Sequence, residues 1–150
     1  MSRFVFQLEG VLRHRMNVEH HRQRDLALVQ AEMVPLQTQL AALEAQVQTS
    51  NDDLRQNRLT GRIDPNFLAA HRRYLGATQR RAMEIVEKMA AVQRKVDKAR
   101  QALIEAARDR AVLEKLREKQ QSAWQDELNR KELSALDEIT MQMTYRKQRA

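Results

Sequence analysis

The chain has 150 residues, room for one ordinary domain. Aromatics make up 4% of it, Gly occurs three times, Pro twice and Cys not at all, which excludes a strand-rich domain and a disulfide scaffold and leaves a long helix or coiled coil. The 27 basic and 20 acidic residues give a formal charge of +7, a balance that attracts nucleic acid, anionic membranes or an acidic partner.

No apolar run reaches the roughly 18–20 residues that span a bilayer, and residues 1–15 contain no apolar core of a signal peptide. These features predict a soluble intracellular protein of the all-α class. The first helix is expected over about residues 3–57. Leu26, Val29, Met33, Leu36, Leu40, Leu43, Val47, Ser50 and Leu54 step by three and four, the rhythm of a coiled-coil seam. Upstream, Arg22 takes the next seam slot and two steps of four form a stutter. Pro35 removes a backbone donor, so a kink or break is expected near Val34.

A turn follows over about residues 58–64. Gly61 is suited to a left-handed conformation there, and Asp64 before Pro65 reads as an N-cap with proline at the first helical position. The second helix is expected over about residues 65–146. Met89, Val92, Val96, Ala99, Leu103, Ala106 and Leu113 keep the seam rhythm, with Arg110 interrupting it, and the phase then drifts through Trp124, Leu128, Leu136, Ile139 and Met143. One short turn between two long helices predicts a single antiparallel coiled-coil domain over residues 1–150, with the second helix longer and overhanging. The helices would be roughly 80 and 120 Å long. Pairing outward from the turn places Phe4 and Phe6 across from about residues 117–120.

The sequence lacks the materials of an enzyme. Gly10, Gly61 and Gly76 are isolated, so no loop converges backbone donors on a phosphate, and there is no cysteine nucleophile. His14, His20 and His21 do not have the spacing of a zinc helix and read as solvent-facing residues of a basic stretch. No catalytic residue, metal site or cofactor is therefore expected. A basic-zipper reading needs a basic region running straight into a parallel zipper, whereas here the strongest heptads lead into a turn. The informative side chains are aromatics away from the seam: Phe4, Phe6, Phe67, Tyr74, Trp124 and Tyr145. Each either fills a gap in the hairpin or anchors a partner.

The opening Phe4-Val5-Phe6-Gln7-Leu8-Glu9-Gly10-Val11-Leu12-Arg13 resembles the Phe-x-Phe-x-Leu-x-x-Val-Leu start of the FliJ family, coiled-coil components of the bacterial flagellar export apparatus. The stretch from Trp124 through Asn129-Arg130-Lys131-Glu132 to Leu136-Asp137-Glu138 is similar to the family's tail. The resemblance implies a non-enzymatic stalk that promotes assembly and activity of the hexameric export ATPase (FliI-like). It also implies binding to the export-gate membrane protein (FlhA-like), recycling of export chaperones, and a cytoplasmic place at the inner membrane. It assigns Phe4, Leu8, Trp124, Leu128 and Leu136 to the ATPase pore. Tyr74 and Leu75 match an aromatic-aliphatic pair used toward the gate, while Thr78 replaces a leucine there. The equivalent stalk of a virulence type III secretion system, or a basic coiled-coil nucleic-acid or scaffold protein, are the alternatives. A small-molecule substrate is not expected, and nucleic acid is a minority reading.

Overall fold

The computed structural model describes residues 3–58 and 61–149, with side-chain surroundings given up to residue 56 and from residue 61. All regular structure among these residues is helical. Helix α1 spans Glu9–Asp53, runs into a π-helical turn at Leu54–Arg58, and is followed by α2 over Pro65–Gln148. The all-α, two-helix architecture with a longer second helix is the one the heptads predict. The chain divides into two compact units: residues 21–104 form one, and residues 3–20 with 105–149 are the described part of the other.

The first unit is an antiparallel hairpin around the turn. Gly61 has φ +98°, a left-handed conformation that a residue without Cβ adopts at least cost. The Asp64 carboxylate accepts the Asn66 backbone N–H at 2.9 Å, and its carbonyl accepts that of Leu68 at 3.2 Å. This caps α2 and leaves Pro65 where no N–H is needed. Leu59 and Thr60, within the expected turn, lie outside the described residues. Every seam residue named from Leu26 to Leu54 is half-buried, and Ile85, Val92 and Val96 opposite them are buried. Lys95 and Glu32 bridge the two helices at 3.4 Å.

Pro35 does not break α1. It lies on the exposed face beside the half-buried Leu36, so the carbonyl it leaves without a donor faces water. The Thr38 hydroxyl donates to the Val34 carbonyl at 3.0 Å just beyond it.

In the second unit α1 begins at Glu9, not near residue 3. Residues 3–6 run without regular structure, and a turn closed by Glu9 N–H donating to the Phe6 carbonyl (3.2 Å) leads into the helix. Burial drives this: Phe6 leaves water, which a continued helix would not allow for both Phe6 and Leu12, the latter only 2% exposed. The expected position of Phe4 opposite residues 117–120 is corrected with it. Non-helical chain advances about 3.3 Å per residue when extended, against 1.5 Å in a helix, so Phe4 reaches Trp124, with ring centroids 6.0 Å apart. Beyond Leu128 every described residue of α2 is exposed.

Two glycines should respond oppositely to a methyl group. Gly76 lies inside α2 and an added Cβ there meets nothing within 4 Å. Gly76→Ala is therefore expected to stabilise by up to about 1 kcal/mol, and Gly61→Ala to destabilise by about 1 kcal/mol through its positive φ. Urea denaturation of both variants checks the pair of signs.

Candidate functional site

In the hairpin unit, α2 carries the first cluster of expected contact residues. Successive side chains on a helix diverge by about 100°, so neighbours in sequence do not share a face. Tyr74 is 41% exposed, whereas Leu75 is half-buried and Thr78 is only 6% exposed. Leu75 and Thr78 line a groove of about 410 Å³ together with Leu40, Leu43 and Val47 of α1. The Thr78 hydroxyl donates to the Tyr74 carbonyl at 2.9 Å, which satisfies it inside the seam. Of the three residues, Tyr74 alone presents a largely open side chain.

Tyr74 does not stand free of its own helix. Its ring lies 6.5 Å from that of His71, tilted by 35°, and His71 stacks on Phe67 at 6.4 Å and 17°. His71 is itself a seam residue whose Nδ1 shares a hydrogen bond with the Ser50 hydroxyl at 3.2 Å, while its buried Nε2 has no partner among the described residues. The seam thus extends from Met89 back through Ile85, Ala82, Thr78 and Leu75 to His71 in unbroken steps of three and four. The spacing was available in the sequence. Two polar members, Thr78 and His71, hid it from a reading that follows apolar residues.

The second cluster belongs to the unit formed by the N-terminal segment and the later part of α2. Phe4 and Trp124 meet there, both half-buried. Leu8 is partly exposed, and its carbonyl accepts the Leu12 N–H at 2.9 Å to open α1. Leu128 follows Trp124 by one helical turn and is half-buried, whereas Leu136, two turns further, is 59% exposed. Phe4, Trp124 and Leu128 therefore belong to a partly closed joint. Leu136 lies on bare helix with Leu133, Ile139 and Met143, all open to solvent.

The same unit is tied by ion pairs that heptad reading passed over. Arg110, which interrupts the apolar rhythm, bonds Glu19 of α1 and Glu114 of its own helix. These two carboxylates, Glu114 first, raise its already high pKa. Arg15 pairs with Asp109 at 3.2 Å and Arg117 with Glu9 at 3.5 Å. Among the described residues no group of three or more His, Cys, Asp or Glu is placed to hold a metal ion. No described helix is long and apolar enough to cross a membrane.

The family model described as "Flagellar FliJ protein" matches residues 4–149. Comparison with curated proteins and with solved structures yields no match.

The Glu19 side chain is only 14% exposed and depends on Arg110 for its countercharge. Arg110→Ala is expected to lower the melting temperature, because it strands a largely buried carboxylate. Replacing both partners, Arg110→Met with Glu19→Met, should recover the loss. Thermal melts of the two variants check this.

Proposed function

The chain belongs to the FliJ family of flagellar proteins, and from that premise we propose that it is the stalk of the flagellar export apparatus. In this reading residues 1–150 work as one antiparallel coiled-coil domain without catalytic activity of its own. The unit containing Phe4, Leu8, Trp124, Leu128 and Leu136 enters the pore of the hexameric export ATPase and promotes its assembly and turnover. Tyr74, backed by Leu75 and Thr78, contacts the membrane export gate, and the protein assists the recycling of export chaperones at the cytoplasmic face of the inner membrane.

The observation that carries the reading is the bare end of α2. Leu133, Leu136, Ile139 and Met143 stand open on a helix that no described residue covers beyond Leu128. Apolar side chains displayed together along a helix are the usual mark of a protein partner. The flagellar description of the matched family supports this apparatus over a virulence secretion system.

Deleting residues 129–150 removes the exposed tail and leaves the Phe4–Trp124 joint in place. The truncated chain is expected to keep its melting temperature and to lose most of its stimulation of the export ATPase, read as phosphate release. Full stimulation by the truncated chain would remove the tail from the pore. At the other cluster, Tyr74→Ala should weaken gate binding by about 2 kcal/mol with little change in melting. Leu75→Ala should instead lower the melting temperature, because Leu75 packs in the seam. Calorimetric affinities and melts on both variants separate contact from support.

A further inference from the structure

A cleft of about 430 Å³ opens where the N-terminal segment meets α2, lined by Arg3, Phe4, Phe6, Glu9, Arg13 and Arg117. Three arginines line it against one glutamate, and the carboxylate of that glutamate, Glu9, pairs with Arg117 at 3.5 Å. Arg3 and Arg13 have no ion pair or hydrogen bond among the described residues. The cleft therefore keeps an excess of positive charge. Glu9 is also the first residue of α1, so the positive end of that helix's dipole adds to it.

We propose that this cleft binds an acidic peptide segment of a partner protein, one whose carboxylate is flanked by an apolar side chain. The planar fork of arginine matches a carboxylate in bidentate fashion, and two uncommitted guanidinium groups supply that fit. Phe4 and Val5, the latter 75% exposed, give the cleft an apolar wall, which an apolar neighbour of the carboxylate would cover. A phosphate chain would leave that wall wet. The inference goes beyond the stalk reading, because it holds whichever protein supplies the segment.

The test uses the full chain and its single tryptophan, Trp124, whose ring lies 6.0 Å from Phe4 in the cleft wall. The probe is a blocked hexapeptide of alternating glutamate and leucine, with its glutamine twin as control and calorimetry as a second readout. Saturable binding of the acidic peptide is expected, with the twin at least tenfold weaker. Arg3→Gln combined with Arg13→Gln should weaken binding at least tenfold with an unchanged circular dichroism spectrum. Glu9→Gln should act in the opposite direction and tighten binding, since it frees Arg117 and removes a like charge. Equal binding of the twin, no loss in the arginine variant, or no binding by either readout would overturn the proposal. So would inorganic tripolyphosphate displacing the peptide at lower concentration, or phosphatidylglycerol vesicles binding through the same arginines when the peptide does not.

Discussion

A helix paired with one other helix can bury only a single narrow stripe, and that constraint governs both units of this protein. Among the described residues the buried hydrophobic side chains are Phe6, Leu12, Ile85, Val92, Val96 and Ala106. All but Phe6, which precedes α1, leave water along such a stripe, and most of the others in the seam are only half-covered. With so little interior, the surface on either side of the stripe is open to partners over most of its length. The same thinness explains why an added aromatic contact, such as Phe4 on Trp124, matters to where the chain begins to be helical.

The stripe is not uniformly apolar. Thr78 satisfies its hydroxyl on its own helix, His71 meets Ser50 across the hairpin, and Arg110 meets Glu19 in the other unit. Such groups contribute less to stability than well-packed apolar side chains would, yet they distinguish one alignment of two helices from another. An apolar seam of equal leucines tolerates sliding by a heptad. A seam with a lone histidine opposite a lone serine does not, because sliding would bury both without a partner.

Much of this was legible in the sequence where local chemistry dictates the outcome. Asp64-Pro65 could cap a helix in only one direction, Gly61 suited a left-handed turn, and the steps from Leu26 to Leu54 defined a buried face. The reading failed where tertiary burial overrides local pattern. Phe4 stands at helical steps of four from Leu8 and Leu12, but docking on Trp124 of α2 pulls the first residues out of the helix. Pro35 does not break α1, because its place on the exposed face lets the carbonyl it leaves without a donor reach water. The resemblance pairs Tyr74 with Leu75, and helical geometry sends the first outward and the second into the seam. Which surfaces meet partners lies a step further still, since no spacing rule encodes the shape of another protein.

The uninterrupted three-four spacing of α2 from His71 to Ala106 constrains how such a hairpin can change in length. One residue gained or lost within this stretch would rotate all that follows by about 100° and carry buried positions to the surface. Within the hairpin unit, growth is therefore restricted to whole heptads added to both helices together. The π-helical turn at Leu54–Arg58 is the exception, because its wider ring absorbs a single extra residue just before the chain reverses. Insertions of odd length find their natural home there.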